Sequence, residues 1–177
     1  MPLTDARLTA IMEMLPKCRV TADIGADHGR LGAQLLLSRV SENVWFSDIS
    51  ADSLQKARVL IGRLNLNSRA GFFVGDGAMA LPGAPDAAVI AGMGGSTIAG
   101  IIRAAGEKFQ NTYLVLEPNV GLTELRSTLE AEGYAICEER LVRAAQRFYV
   151  LMGAQKGSMH LTEEERLIGP KLMERRD

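Results

Sequence analysis

An α/β fold with a mostly parallel, seven-stranded sheet is predicted by three observations. Short β-prone runs alternate with amphipathic helical segments, the early runs end in glycine- or acid-rich corners, and the last two runs have no helix between them. The alternation implies parallel strands with helices on both faces, and the terminal pair implies one antiparallel strand added to the sheet.

Leu8, Ile11, Met12 and Leu15 at helical spacing predict a first helix that stops before Pro16. Val20–Ile24 reads as a buried strand ended by Gly25, and Gly29 to Arg39, with Leu31, Leu35 and Leu36, as the next helix. Val44–Ser47 is a second strand closing on Asp48, after which Ser50 caps a helix whose stripe is Leu54, Ala57, Ile61 and Leu64. Gly71–Val74 is a third strand ending at Gly75-Asp76-Gly77, and Ala87–Ala91 a fourth running into Gly92-Met93-Gly94-Gly95. A helix with Ile98, Ile101, Ile102 and Ala105 follows, then a fifth strand, Tyr113–Leu116, ended by Glu117-Pro118-Asn119. Leu122, Leu125 and Leu129 mark another helix up to Gly133, and Tyr134–Val142 with Phe148–Gly153 form a hairpin. Beyond Gly157 the chain turns polar, and Thr162 followed by three glutamates reads as a helix start suited to the positive end of the helix dipole.

Composition narrows the function. The 177 residues fit one domain of ordinary size, and 47% hydrophobic with 23% charged residues is globular. Twenty Lys and Arg against 21 Asp and Glu give a net charge of −1, so no global field draws the chain to nucleic acid or membrane, though a local basic patch is compatible. No export signal pattern and no transmembrane run is present, which predicts a cytoplasmic protein without membrane partners. Cys18 and Cys137 lie far apart and His28 and His160 are the only histidines, so neither a disulfide framework nor a metal is expected. A monomer is expected.

Ligands of open parallel sheets sit outside the carboxyl ends of the strands, so the chemistry is expected at Asp23 to Gly29, Asp48, Gly75 to Gly77, Gly92 to Gly95 and Glu117 to Asn119. In the first loop the glycines fall as G-x-x-x-G-x-x-G, and Asp27 occupies the place of a dinucleotide loop's middle glycine. A carboxylate there repels a pyrophosphate and suits an ammonium, favouring an amino-acid-like ligand over NAD. Asp48 is placed to accept from both hydroxyls of a ribose, and Asp76 to reach an adenine amino group; each also reads as a simple turn or cap residue.

Ala22-Asp23-Ile24-Gly25-Ala26-Asp27-His28, Gly75-Asp76-Gly77, Ile90-Ala91-Gly92-Met93-Gly94-Gly95 and Pro118-Asn119 together resemble the bacterial tRNA (adenine(22)-N(1))-methyltransferase family, within the Rossmann-like class I S-adenosylmethionine-dependent methyltransferase fold. The resemblance runs from Asp5 to about Pro170. It implies methyl transfer from S-adenosylmethionine to N1 of an adenosine in tRNA. The cofactor set is then Asp23, Gly25, Asp27, His28, Asp48, Ile49, Asp76, Gly77 and Gly92. It also implies a methyltransferase domain over residues 1–157 and, over 158–177, the start of a helical C-terminal extension that helps hold tRNA, here short or cut.

Attack by the lone pair of adenine N1 on a sulfonium methyl needs no prior deprotonation, so positioning supplies most of the acceleration. The methylated ring is cationic, which favours an acceptor-rich pocket, and the base must leave its stack to enter it. Gly92-Met93-Gly94-Gly95 offers no polar side chain, so Met93 and Gly94 are expected to position the base through backbone groups, with Asn119 on a base edge. His28 is a candidate to touch the cofactor or accept the proton lost after transfer, or to play a structural part. Arg7, Arg143 and Arg147, with Arg140 nearby, are candidate phosphate contacts or ordinary surface charge. Alternative readings are a methyltransferase acting on another RNA or a small molecule, a nicotinamide-dependent oxidoreductase, or a non-catalytic nucleoside- or RNA-binding module.

Overall fold

The computed structural model describes residues 5–174; Met1–Thr4 and the terminal Arg175–Asp177 lie outside them. Helix α1 spans Ala6–Met14, with the Asp5 side chain accepting from the Arg7 amide at 2.9 Å as its N-cap. Then come β1 (Cys18–Ile24), α2 (Arg30–Leu37), β2 (Ser41–Asp48) and α3 (Ala51–Arg63). Next are β3 (Ala70–Val74), β4 (Ala87–Gly94), α4 (Gly95–Ala105), β5 (Tyr113–Val120) and α5 (Leu122–Ala131). The chain closes with β6 (Tyr134–Ala144), β7 (Arg147–Lys156) and the short helices α6 (Glu163–Ile168) and α7 (Pro170–Glu174).

One seven-stranded sheet runs in the order β3-β2-β1-β4-β5-β7-β6. Its first five strands are parallel, and β7 lies antiparallel between β5 and β6. The Rossmann-like architecture expected from the sequence is therefore present. Apolar residues fill both faces. On one, Ile24, Ile90, Leu114 and Leu116 meet Ile98 and Ile102 of α4 and Leu125 and Leu129 of α5. On the other, Val44, Phe46, Val89 and Val115 meet Ile11, Leu35, Leu36, Leu54 and Ile61 from α1, α2 and α3. Strands buried on both sides explain why their sequences are continuous apolar runs rather than alternating ones.

Two strands run further than their composition predicts. The sequence predicts corners at Gly92 to Gly95 and Glu117 to Asn119, but β4 runs on to Gly94 and β5 to Val120, with Ala91 paired to Glu117, Met93 to Pro118 and Gly94 to Val120. Gly92 is an extra residue on β4 and Asn119 an extra residue on β5, so one bulge compensates the other and the ladder survives. Pro118, lacking an N–H, is tolerated at such an irregularity.

At the C-terminal end, Thr162 and Glu165 form a reciprocal capping box that starts α6. The fully buried Arg126 of α5 donates to Glu139 at 2.9 Å and to the carbonyls of Arg166, Leu167 and Ile168 at 2.9 to 3.1 Å, pinning this segment to the domain.

Candidate active site

The loop after β1 is shaped by backbone that only glycine and a few polar residues adopt readily. Gly25 has φ +73° and Asp27 φ +45°, so the chain reverses sharply and delivers Gly29 to the start of α2. A Cβ on Gly25 would run into the methyl of Met93, which therefore packs over this loop from the end of β4. Asp23, the next-to-last residue of β1, is 5% exposed and accepts from the Gly32 amide at 3.2 Å. Burial pushes its carboxyl up to about 7, partly offset by that amide and reinforced by the nearby Asp48.

Asp48, at the end of β2, organises the neighbouring corner. One oxygen accepts from the Ser50 amide at 2.8 Å and the other from the Asp27 amide at 3.2 Å, which ties the first loop to the second strand end. Its backbone carbonyl accepts from Gly75, drawing in the end of β3. There Asp76 is exposed and makes no side-chain cap bond, while Gly77 is buried and its carbonyl accepts from Ser47 at 2.9 Å. Ile49, 77% exposed, stands beside Asp48.

A third group stands at a strand end the sequence marks but to which it assigns no role. Glu117 of β5 is fully buried, and its Oε2 accepts from Arg7 Nη1 at 3.1 Å and from the Gly92 amide at 3.0 Å. The other oxygen is buried without a hydrogen-bond partner among the described residues. Burial raises the Glu117 carboxyl, and the Arg7 guanidinium and Gly92 amide oppose that rise. Arg7 also lies 5.2 Å from the centre of the Tyr149 ring, so α1, β5 and β7 meet at one cation. A carboxylate directly after the apolar run Leu114-Val115-Leu116 is the signal that could have flagged its role, because a buried acid needs a matched partner.

Asp23, Gly25, Asp27, His28, Gly92 and Arg7 line a single cavity of about 580 Å³ at the carboxyl edge of β1 and β4. Asp48 borders it through the Asp27 amide, whereas Ile49, Asp76 and Gly77 stand along the same edge toward β3 and outside this lining. Asp27 Oδ2 and His28 Nδ1 are 2.6 Å apart, both side chains being half or more exposed. Gly92, with φ +75°, would carry a side chain into open space, which leaves bare backbone on that wall. Met93 and Gly94 are half-buried and Asn119 is exposed at the paired bulge. Arg143 lines a second hollow of about 280 Å³ with Asp5, Arg7 and Tyr149, and Arg147 is exposed beside the hairpin turn. Arg7, a candidate phosphate contact, is thus already matched to Glu117, and Arg140 pairs with Glu13 and Glu138. Among the described residues no group of three or more His, Cys, Asp or Glu side chains is placed to hold a metal ion, and no helix is long and apolar enough to cross a membrane.

Comparison with known proteins gives the family and the fold. The tRNA (adenine(22)-N(1))-methyltransferase of Bacillus subtilis (strain 168) is 31% identical over 153 residues, covering 85% of this chain and 64% of its own length. The chain therefore spans less than two thirds of that relative. The crystal structure of the B. subtilis M1A22 tRNA methyltransferase TrmK superposes with a TM-score of 0.91 at 29% identity, covering 98% of this chain and 77% of that one. A Streptococcus pneumoniae protein solved in complex with S-adenosyl-L-methionine gives a TM-score of 0.92 at 25% identity, over 97% of this chain and 81% of that one. Residues 4–152, which carry the whole sheet except the last four residues of β7, match the methyltransferase domain family, and to that family the chain belongs.

Proposed function

We propose that this chain transfers a methyl group from S-adenosylmethionine to N1 of an adenosine in tRNA. The observation that carries the reading is the cavity at the carboxyl edge, lined by two carboxylates, Asp23 at the end of β1 and Asp27 on the glycine loop, and by bare backbone at Gly92. A ligand with a cationic amino-acid end and an uncharged nucleoside end suits this donor set, whereas a pyrophosphate would meet two acids. When bound, S-adenosylmethionine supplies an electrophilic methyl on a sulfonium.

The chain's own residues divide the work. Asp23 and Asp27 would hold the ammonium, with the open backbone of Gly25 and Gly92 admitting the chain of the ligand. Each Asp48 oxygen already accepts one amide and retains a lone pair, so the carboxylate can also take ribose hydroxyls. Ile49 offers an exposed apolar face for the adenine ring, and Asp76, with Gly77 fixing its corner, accepts from the amino group. Met93, Gly94 and the Asn119 amide, at the paired bulges of β4 and β5, would position the acceptor base, and the half-exposed His28 imidazole can take the proton released afterwards. No group has to remove a proton before attack, so geometry carries the rate.

Arg143, beside Tyr149 in the adjoining hollow, and Arg147 near the hairpin turn are placed for backbone phosphates. Residues 1–157 form the methyltransferase unit in this reading, and 158–177 a C-terminal segment that helps hold tRNA. The enzyme works in the cytoplasm, as a monomer and without a metal. The reading is supported by the B. subtilis relative's name and by the S-adenosyl-L-methionine complex of the S. pneumoniae neighbour. Primer extension on unmodified tRNA transcripts tests it. Incubation with S-adenosylmethionine should create one strong stop at an adenosine, because N1 methylation blocks the pairing edge, and Asp27→Ala should remove it. Full read-through with the wild-type protein would reject the reading.

A further inference from the structure

Charge is unevenly distributed along this nearly neutral chain. From His28 to Ser41 and from Ser53 to Gly75 there is not one carboxylate, yet these stretches carry Arg30, Arg39, Lys56, Arg58, Arg63 and Arg69. The two stretches contain α2 and α3, which pack against each other where a Cβ on Gly29 would come within 2.7 Å of the Ala57 methyl. Between them lies a groove of about 370 Å³ lined by His28, Arg30, Lys56, Val59 and Arg63. Lys56, Val59, Leu60 and Arg63 share one face of α3, at i, i+3, i+4 and i+7. The rise per residue sets Lys56 and Arg63 about 10 Å apart along the helix axis, so each can meet its own anionic group.

These cations are not consumed internally. Among the described residues Arg30, Lys56 and Arg63 make no ion pair, and all three are exposed; Arg69, by contrast, spends its guanidinium on the carbonyls of Leu36, Ser41 and Glu42. His28 and Arg30 line both this groove and the 580 Å³ cavity, so the basic surface opens directly onto the candidate active site. Exposed cations with no ion pair among the described residues and no carboxylate in the groove's lining make a site for a polyanion, and the exposed Val59 gives an apolar strip against which a sugar can lie.

We propose that the α2–α3 groove is a docking track for the RNA backbone, with Lys56 and Arg63 contacting successive phosphates and leading the strand to the cavity at His28. This rests on the tRNA reading above and adds a surface on the side of the site away from Arg143 and Arg147. The contacts are to phosphate, so they position the RNA without reading its sequence.

The test is tRNA binding by the whole chain as a function of salt, comparing wild type with K56A/R63A. Both side chains are exposed on a helix and alanine is a good helix former, so the fold is expected to persist, as an unchanged melting temperature and unchanged S-adenosylhomocysteine affinity would verify. Arg103→Ala on α4, whose guanidinium is held by Glu132 and Thr128, serves as a control for the loss of a surface cation elsewhere. The proposal expects tRNA affinity to fall about tenfold or more at low salt, and the slope of log K against log salt to lose about one unit per cation removed, with R103A unchanged. Identical affinity and slope in K56A/R63A, while the wild type still binds and methylates tRNA, overturns the groove and leaves the activity standing. Failure of the wild type to bind tRNA, with S-adenosylhomocysteine still bound, overturns the tRNA reading and the groove with it.

Discussion

Asp23→Asn is the substitution whose effect follows most directly from the structure. The carboxyl is 5% exposed and its pKa is raised from 3.8 to about 7 by burial, so the ionised form is held in the fold against its own preference. Between those values the folded chain keeps a proton that the unfolded chain releases, and stability therefore falls as pH rises through that window and levels off above 7. A displacement of that size corresponds to about 4 kcal/mol in full, of which about 2 to 3 kcal/mol accrues between pH 5 and pH 8. Asparagine keeps an oxygen for the Gly32 amide and carries no charge. Relative to wild type, the variant should gain about 2 to 3 kcal/mol on going from pH 5 to pH 8, measured by urea denaturation at both values. In the proposed function Asp23 holds the cofactor's ammonium, so calorimetry should show S-adenosylhomocysteine binding to the variant weakened about ten- to a hundredfold at pH 8. Wild-type affinity should itself decline below pH 7 as Asp23 takes up a proton. A variant whose stability tracks wild type in parallel at both pH values, with unaltered binding, would refute the reasoning on both counts.

Three further outcomes follow from other contacts. Arg7→Ala strands the fully buried Glu117 carboxylate and should cost about 2 to 3 kcal/mol at pH 8, less at pH 5 where Glu117 can accept a proton; Glu117→Gln should cost less, because Arg7 reaches solvent. Urea melts of both variants at the two pH values read this asymmetry. Gly25→Ala forces a side chain onto φ +73° and onto the Met93 methyl, so the fold should lose about 1 to 2 kcal/mol and S-adenosylhomocysteine affinity should drop, both measurable by melting with and without ligand. Arg126→Ala removes the guanidinium that holds Glu139 and three carbonyls of the terminal segment; it should cost about 3 to 5 kcal/mol and expose residues beyond 157 to limited proteolysis while the cofactor affinity of the folded fraction stays the same.

Local periodicity carried most of the fold. Leu54, Ala57 and Ile61 marked α3, Ser50 its cap, and Thr162 with Glu165 the start of α6, because each is a short-range pattern that packing reinforces. Gly92 and Pro118 misled for a physical reason: each alone is a strand breaker, but extra residues on both partners cancel, and compensation across two strands is invisible to a reading of either one. The acids at the strand ends were legible since their positions follow from strand order. That Asp27 and Asp48 are joined through an amide, and that Arg7 closes on Glu117 across 110 residues of chain, depends on long-range packing that spacing does not encode. The α2–α3 groove lies between these cases: its lack of carboxylates is written in the sequence, but only the packing of Gly29 against Ala57 turns two basic stretches into one surface.

The central claim, that the carboxyl-edge cavity moves a methyl group onto adenine N1 of a tRNA, is met most directly by one measurement. The protein is incubated with methyl-labelled S-adenosylmethionine and unmodified tRNA, the RNA is digested to nucleosides, and the labelled nucleoside is identified by mass spectrometry. Label in 1-methyladenosine, abolished in Asp27→Ala, is the predicted result; label in any other nucleoside, or none in RNA while S-adenosylhomocysteine binds the cavity, would contradict it.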